Sequence, residues 1–114
     1  MTRGSVWWVE FDPSVGTEIK KTRPAVIVSN DIANQYLARV VVIPLTSNVS
    51  RVYPGEAIVM LNNQKNKAMS DQIMSADKSR LKNKIAVLSD GDMISIEIAM
   101  KIFLISNDQL AWVF

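Results

Sequence analysis

The sequence predicts a mainly β protein with some helix: a compact antiparallel sheet or small barrel, against which one long C-terminal helix packs. Two observations predict this class. Short apolar runs bounded by turn residues fill the first three quarters of the chain, and the last quarter repeats apolar residues at helical spacing. Strands first and one helix last are typical of such architectures. The 114 residues are predicted to form a single domain, residues 1–114, with one core.

The chain begins with two predicted strands and a short helix. "SVWWVEF" (5–11) is rich in Val and aromatic residues and ends at an Asp-Pro pair, which is typical of a strand. Trp7 and Trp8 are both expected in the core, although either ring could stack a base. "PAVIVSN" (24–30) is a continuous apolar run, so we expect a strand buried on both faces. "DIANQYLAR" (31–39) predicts one or two helical turns with an Asn or Asp cap.

Two more strands and two turns follow. "VVVIPL" (40–45) predicts a buried strand, and Pro44 predicts an edge or a bulge near its end. A loop with a Pro-Gly turn (46–56) leads to the predicted strand "AIVML" (57–61). "NNQKN" (62–66) is predicted to be a polar turn.

Residues 67–84 combine strand-like and basic patterns. "KAMSDQIMSAD" (67–77) is predicted as one strand, with polar and apolar side chains mixed on both faces. This mixture suits a strand beside a functional groove and equally an ordinary edge strand. Residues 78–84 carry bases at alternate positions, which would point the same way in an extended chain: Lys78, Arg80, Lys82 and Lys84. Such a stripe could track phosphates, but a solvated face is more common.

The last quarter predicts a helix of about four turns. Ser89 is the expected N-cap, and Asp92 completes a capping-box pattern. Two apolar flanks recur at helical spacing: Met93, Ile96, Met100 and Phe103/Leu104 on one, and Ile94, Ile98 and Ile102 on the other. The resulting apolar face is wide, so that either a dimer interface or full packing within the domain would use it.

The composition excludes several kinds of site. The chain has no cysteine, so it holds no disulfide, zinc–thiolate site or cysteine nucleophile, and a reducing compartment is expected. It has no histidine either, so any catalysis has to use Arg, Lys, Asp, Glu, Ser, Thr, Tyr or the main chain. The sequence contains no phosphate-binding loop, dinucleotide fingerprint or metal-spaced cluster, and we expect no cofactor and no metal.

Hydropathy and charge give weaker indications. No stretch approaches the roughly 18 apolar residues of a membrane span. The N-terminus lacks the apolar segment of a signal peptide, so we expect a cytoplasmic protein without a membrane partner. Residues 1–89 carry 12 Lys/Arg against 7 Asp/Glu, whereas residues 90–114 carry 1 Lys against 4 acids. A basic body suits a polyanionic partner, although ordinary charge scatter explains it as well.

Polar residues recur beside the ends of the predicted strands. They are Glu18 and Arg23 in the charged loop "GTEIKKTRP" (16–24), Thr46, Ser47 and Asn48 after a buried strand, and Asp71 and Gln72 within an otherwise apolar strand. Each alone has a structural explanation, such as a turn hydrogen bond or a surface ion pair. Together they suggest a binding site, because binding residues lie on loops that a rigid scaffold holds.

Several of these segments match a known pattern. "RGSVWWVEFDPSVGTEIKKTRPAVIVSND" (3–31) resembles the start of the MazF/PemK toxins, in which an R-G-D/E-[VI]-W opening precedes a D-P…G-x-E-x-x-x-x-R-P loop. Three later segments match in the same order: "VVVIPLTS" (40–47), "PGEAIV" (54–59) and "SDQIMSADKSRL" (70–81). With the terminal helix, the resemblance extends over residues 3–104, nearly the whole chain.

The resemblance implies a fold, an activity and partners. The fold would be an SH3-like barrel of the CcdB/MazF type with a C-terminal helix, working as a homodimer. The activity would be that of a sequence-specific, metal-independent endoribonuclease acting on single-stranded RNA, as the toxin of a toxin–antitoxin pair. A cognate MazE-type antitoxin would neutralise it by covering the RNA groove, and DNA would be bound only indirectly, through the antitoxin complex.

The family pattern also implies roles for individual residues. Arg23 of the R-P pair would be the main catalytic arginine, and Thr46 of "PLTS" the threonine that accompanies it. Glu18 is the family's loop acid, which would orient Arg23 or take part in proton transfer. Asp71 and Gln72 match the D/E-Q pair that lines the groove.

Further RNA contacts are expected from the two loops. Thr17, Ser47 and Asn48 offer polar groups for contacts to RNA, whose unpaired bases are open to hydrogen bonding. Lys20 and Lys21 are expected to attract phosphate and not to read bases.

The chain departs from the family pattern at three positions. Ser5 replaces the usual acidic residue, which indicates a structural position. Thr17 stands where some members carry histidine, and Met69 where some carry an arginine that assists catalysis. The sequence is therefore similar to a branch that relies on Arg and Thr.

Two other functions stay open. A non-enzymatic toxin of the same fold, like the CcdB gyrase poisons, would need C-terminal residues aimed at gyrase, and the ending "AWVF" (111–114) holds an aromatic pair. That alternative gives no use for Arg23 and Thr46. The second alternative is a small RNA-binding module without catalysis.

Overall fold

The computed structural model describes residues 1–11, 16–17 and 21–106 of the chain. A seven-stranded sheet and two α-helices occupy these residues, with short 3-10 turns at Ser70–Gln72 and Lys78–Arg80. The strands are β1 (Ser5–Glu10), β2 (Thr22–Ile27), β3 (Arg39–Thr46), β4 (Glu56–Leu61), β5 (Gln64–Met69), β6 (Met74–Asp77) and β7 (Leu81–Val87), and the helices are α1 (Asp31–Tyr36) and α2 (Asp90–Leu104).

The strands form one curled antiparallel sheet. Neighbours follow the order β4-β5-β3-β2-β1-β7, and β6 pairs with β3 beside this path. Helix α2 packs against β4 at one end of the order. The curled half-barrel with a C-terminal helix confirms the predicted fold class.

Strand β3 changes its partner along one edge. On one side it pairs with β2, and on the other its first half, Arg39–Val42, pairs with β6. Its last residues, Leu45 and Thr46, pair with β5. Pro44 lies between these two partners, where its missing N–H interrupts no pairing on that edge. The predicted edge or bulge at Pro44 is thus a change of partner within a central strand.

The core lies on both faces of β2 and β3. One cluster contains Val26 and Ile43 together with Ile96 of α2. The other contains Ile27 and Val42, the direct neighbours of the first two along each strand. Because successive strand residues point to opposite faces, burial on both faces requires continuous apolar runs. The structure confirms that prediction for both strands.

Two predicted elements have different bounds in the structure. Only Asn62 and Asn63 form the turn after β4, since β5 already begins at Gln64. The single strand predicted over residues 67–77 is wrong, because the 3-10 turn Ser70–Gln72 divides it into β5 and β6. Both halves pair with the same edge of β3, β6 with its first half and β5 with its last residues, and β5 also pairs with β4. Local periodicity does not show a change of partner.

The alternating bases of residues 78–84 do not form one stripe. The 3-10 turn Lys78–Arg80 interrupts them, and Asp77 caps this turn by accepting the N–H of Ser79 at 2.9 Å. Hydrogen bonds from Ser79 hold the pKa of the Asp77 carboxyl below its ordinary value. Lys82 folds back and donates to the carbonyl of Ser79 at 3.0 Å.

The two neighbouring tryptophans have different surroundings. Trp7 is half-buried against the second core cluster, and its indole N–H donates to Ser5 Oγ at 2.9 Å. Ser5 itself is fully buried, so this departure from the family pattern is a structural position. Trp8 is 40% exposed, so the expectation of a core position is wrong for Trp8. The next side chain along a strand points to the opposite face.

Helix α2 begins at the N-cap that its sequence predicts, but the predicted capping box is wrong, because the Asp92 carboxylate bonds to a strand and not to the N–H of Ser89. Ser89 is the N-cap, and its Oγ accepts the N–H of Asp92 at 3.1 Å. The carboxylate of Asp92 accepts the N–H of Met60 on β4 at 2.9 Å, so it satisfies an edge donor of the sheet. This bond ties the first turn of the helix to β4.

Both apolar flanks of α2 are buried only in part, since Phe103 and Leu104, on the flank of Ile96, are 49% and 59% exposed. Ile96 and Ala99 face the core. Ile94 and Ile98, one turn apart, are 56% and 50% exposed. Neither described helix has the length and apolar character to cross a membrane.

We expect Ser89→Ala to lower the free energy of unfolding by about 1 kcal/mol, because the first turn of α2 loses its side-chain cap. Urea denaturation followed by circular dichroism measures the change. Ser95→Ala, in the same helix, is the matched control and should change stability by less than about 0.5 kcal/mol, since Ser95 is exposed and alanine favours helix. Equal effects of the two substitutions would contradict the capping role.

Candidate functional site

A cavity of about 380 Å³ opens where β3 ends and β2 begins. Its volume is in the range of small-ligand sites. Four strands and one hairpin contribute to it. The described residues that line it are Trp8 of β1, Arg23 and Pro24 of β2, Leu45, Thr46 and Ser47 at the end of β3, Leu61, Asn62, Gln64 and Asn66 of the β4–β5 hairpin, and Ile85 of β7.

The neighbouring strands β2 and β3 bring Arg23 and Thr46 to the same cavity. The paired stretch of the two strands ends at Ala25 and Pro44, and Arg23 and Thr46 each lie two residues beyond it. Both residues line the cavity. Two residues that are distant in the sequence thus belong to one site because their strands are neighbours in the sheet.

Arg23 gives the cavity its charge. It is the only charged residue among the described residues that line the cavity, and its side chain is exposed. Within the described part of the chain, no carboxylate forms an ion pair with it. A guanidinium presents a planar fork of N–H donors that can hold two oxygens of a phosphate. The cavity therefore suits an anionic ligand.

The hydroxyl of Thr46 is oriented by the loop that follows β3. Thr46 Oγ1 accepts the N–H of Asn48 at 3.2 Å, so the hydroxyl hydrogen can point to a ligand. Asn48 Oδ1 in turn accepts the N–H and the hydroxyl of Ser50, at 3.3 and 2.8 Å. These bonds order the loop, and Ser47 stands between Thr46 and Asn48 at the cavity rim.

Apolar and aromatic residues complete the cavity beside the polar ones. Leu45 is buried, and Leu61 and Ile85 are half-buried, so they form its apolar part. Trp8, on the neighbouring strand to Arg23, contributes an exposed ring. A cavity that holds both an exposed indole and an arginine suits a planar group attached to an anion, such as the base of a nucleotide.

Sequence reasoning missed the amide residues of the cavity. Asn62, Gln64 and Asn66 line it together, although residues 62–66 were predicted as a turn. Their signal was present in the sequence as amides at alternate positions. Alternate residues share a face only in a strand, and β5 begins at Gln64.

Two predicted site residues lie away from this cavity. Asp71 is exposed and lines a separate hollow of about 170 Å³, together with Phe103 of α2. Gln72 follows it in the 3-10 turn and is half-buried. The structure of the single chain therefore does not bring Asp71 or Gln72 to Arg23.

The loop between β1 and β2 is described only in part. Thr17 is exposed and lies in a turn with Gly16, and it is not among the described residues that line the cavity. Lys21 closes the base of the loop, where its carbonyl accepts the N–H of Phe11 at 2.9 Å. Glu18 and Lys20 lie outside the described residues.

The site has the composition of a nucleotide-binding surface. It joins a guanidinium and a hydroxyl, which suit phosphate, to an aromatic ring and amides, which suit a base. Among residues 1–11, 16–17 and 21–106, no group of three acidic side chains is placed to hold a metal ion.

Comparisons with known proteins agree on one family. A family model described as "PemK-like, MazF-like toxin of type II toxin-antitoxin system" matches residues 2–104. Endoribonuclease MazF9 of Mycobacterium tuberculosis is 35% identical over 113 residues, which cover 91% of this chain and 96% of that protein. Endoribonuclease MazF of Staphylococcus epidermidis is 34% identical and covers 93% of this chain and 92% of its own length.

Solved structures share the fold. MazF from Deinococcus radiodurans superposes with a TM-score of 0.80 at 23% identity, over 91% of this chain and 96% of that one. An endoribonuclease from a mycobacterial species, solved in complex with its cognate antitoxin, gives a TM-score of 0.74 at 23% identity, over 89% and 91% of the two chains.

Proposed function

Because the chain belongs to the PemK/MazF family of toxins of type II toxin–antitoxin systems, we propose that it is a sequence-specific endoribonuclease that cuts single-stranded RNA. The names of its curated relatives support the activity. The observation that carries the proposal within this chain is the joint presence of Arg23 and Thr46 in one cavity, which suits a phosphodiester.

The reaction uses a nucleophile that RNA itself supplies. The 2′-hydroxyl oxygen bonds to the adjacent phosphorus and gives up its proton, while the bond from phosphorus to the 5′-oxygen breaks and that oxygen takes up a proton. The products are a 2′,3′-cyclic phosphate and a 5′-hydroxyl. The protein has to stabilise the negative charge that builds up on the phosphoryl oxygens, and a fixed cation does this without a metal ion.

Arg23 is the residue proposed to stabilise that charge. Its guanidinium donates two hydrogen bonds to the phosphoryl oxygens, and Thr46 donates a third from its hydroxyl. Thr46 is suited to this because its oxygen already accepts the N–H of Asn48, which orients the hydroxyl. Ser47, at the rim, and Asn48 are proposed to contact the RNA backbone beside the cut.

Glu18 is the proposed general base. The chain has no histidine, and Glu18 is the carboxylate nearest to Arg23 in the sequence, five residues before it. Lys20 and Lys21 of the same loop are proposed to attract phosphate, and Thr17 to contact RNA. Asp71 or Gln72 could bind RNA only if the bound RNA extends beyond the cavity, because Asp71 lies in a separate hollow.

The family also supports proposals for partners. We propose a cognate MazE-type antitoxin, since related toxins have been solved in complex with theirs. DNA would be bound only through that complex, and the toxin would act in the cytoplasm on mRNA. A homodimer is supported by the exposed apolar flank of α2, since exposed apolar surface of this kind marks interfaces.

The first test removes the two proposed phosphate ligands. We expect Arg23→Ala and Thr46→Val each to lower the cleavage rate about 10²–10³-fold with the fold retained, because each removes donors to the transition state. Gel analysis of a long mixed-sequence RNA measures the rate.

Arg39→Ala is the control, since Arg39 is equally an exposed arginine but begins β3, about 23 Å from Thr46 along the strand. Cleavage at the wild-type rate by either test variant would contradict the assignment. RNA that is retarded in the gel but stays intact with the wild-type protein would favour a binding module, and no interaction at all would favour a gyrase poison.

The second test concerns the nucleophile and metal independence. A substrate with one 2′-deoxynucleotide on the 5′ side of the cut should resist cleavage completely, because it lacks the attacking hydroxyl. The all-RNA substrate should be cut equally fast in EDTA and in Mg²⁺. Cleavage of the deoxy substrate, or a loss in EDTA that Mg²⁺ restores, would show a different mechanism.

The third test concerns the dimer. Ile98→Lys on the exposed flank of α2 should shift the protein from dimer to monomer in analytical ultracentrifugation, because a buried unpaired charge opposes association. Ile32→Lys on α1 is the control, since Ile32 is also exposed, at 74%, and lies outside α2. A persistent Ile98→Lys dimer, or a monomeric wild-type protein, would exclude this interface.

A further inference from the structure

The inner face of the β4–β5 hairpin changes from apolar to amide along its length. Ala57 and Ala68 form a buried cross-strand pair on this face. Two residues further along each strand, Val59 faces Asn66, which is only 4% exposed. After two more, Leu61 faces the exposed Gln64. Positions that continue a core face are normally apolar, so amides here indicate a second requirement.

The hairpin holds these amides in a defined place beyond the rest of the sheet. β5 pairs with β3 only through Lys67 and Ala68, so residues 64–66 extend past the end of β3. The turn is formed by Asn62 and Asn63, which have φ of 50° and 67°, the left-handed combination of a tight two-residue hairpin. A short turn of this kind leaves little freedom in the strands it joins.

The amides at the mouth are available to a ligand. Within the described part of the chain, the side chains of Asn62 and Gln64 make no hydrogen bond. Behind them, Asn66 Nδ2 donates to the carbonyl of Gln64 at 3.3 Å, which supports the strand at that residue. Trp8, which is exposed, and Arg23 line the same cavity.

We propose that Asn62 and Gln64 read an adenine of the RNA that is stacked on Trp8, beside the phosphate held by Arg23; this inference rests on the proposed function. A side-chain amide offers one donor and one acceptor side by side, and adenine presents the complementary pair at N6 and N7. Unpaired bases are recognised in this way, by stacking on aromatic rings and hydrogen bonding at their edges.

The side chains of Asn62 and Gln64 are neutral, so they are better suited to recognising a base than to binding phosphate. Lysine or arginine at these positions would bind any RNA backbone and carry no sequence information. Amides are weak ligands for phosphate but discriminate between bases. Arg23 stands on β2, whereas the amides stand on the hairpin, so the two tasks are divided between different elements.

The test converts the amide to a carboxylate, which only accepts hydrogen bonds. The wild-type protein, Gln64→Glu and Asn62→Asp are each incubated with a random-sequence RNA pool, and the new 5′ ends are sequenced. Wild-type cuts should share an adenine at one fixed position. Gln64→Glu should lower cutting at these sites about 10- to 100-fold and move the preference at that position toward cytosine, whose N4 only donates.

Asn63→Asp is the matched control. It adds the same charge next to Asn62 in the same turn, but Asn63 is not among the described residues that line the cavity. Its cut sites should stay those of the wild-type protein, at a rate within about threefold of it. Asn62→Asp gives a second reading should Gln64→Glu not fold, since Asp also tolerates the turn conformation.

The outcomes separate this inference from the proposed function. Unchanged base preference in a folded Gln64→Glu protein overturns the inference and leaves the nuclease intact. If the wild-type protein cuts no RNA, the nuclease proposal fails. The inference is then tested by comparing the affinities of the protein for 2′-O-methyl oligoadenylate and 2′-O-methyl oligouridylate, measured by tryptophan fluorescence. At least tenfold tighter binding of oligoadenylate that Gln64→Glu abolishes supports it, and equal binding overturns it.

Discussion

The change of partner along one edge of β3 is the constraint on which the rest of the structure depends. β3 pairs with β2 on one side, while its other edge pairs first with β6 and then, from Leu45, with β5. Because β3 pairs with two different strands on one edge, the sheet curls. This pairing also leaves residues 64–66 projecting beyond the end of β3, and the cavity lies between this projection and the ends of β2 and β3.

The same arrangement decides where polar residues can stand. β2 and β3 are buried on both faces, so their middle residues have to be apolar whatever the function requires. Side chains that bind a charged ligand are restricted to the strand ends, and Arg23 is the second residue of β2 while Thr46 is the last of β3. They line one cavity because β2 and β3 are neighbouring strands, and not because of any local property of the loops beside them.

Features that depend on a few neighbouring residues could be predicted from the sequence, whereas features that depend on contacts between distant strands could not. The buried strands and the Ser89 cap were predictable because apolar runs and capping patterns act over a few residues. The break at Ser70–Gln72 was not, because it lies where the partner on one edge of β3 changes from β6 to β5, and β3 is distant in the sequence. Arg23 and Thr46 were singled out from the sequence by a family pattern. Trp8 was placed wrongly, since two adjacent aromatic residues carry no sign of which faces the core.

The cavity is lined partly by the central strands β2 and β3 and partly by the end of the β4–β5 hairpin. This division affects how the proposed preference for an RNA sequence could change. The proposed phosphate ligands belong to β2 and β3, whose positions the two-faced core constrains. The proposed base-reading amides belong to the free end of the hairpin, whose contacts with β3 end at Lys67. Asn62 and Gln64 are exposed and lie outside both core clusters. On this proposal, substitutions at Asn62 or Gln64 would change the RNA sequence that is cut and leave the proposed phosphate ligands in place.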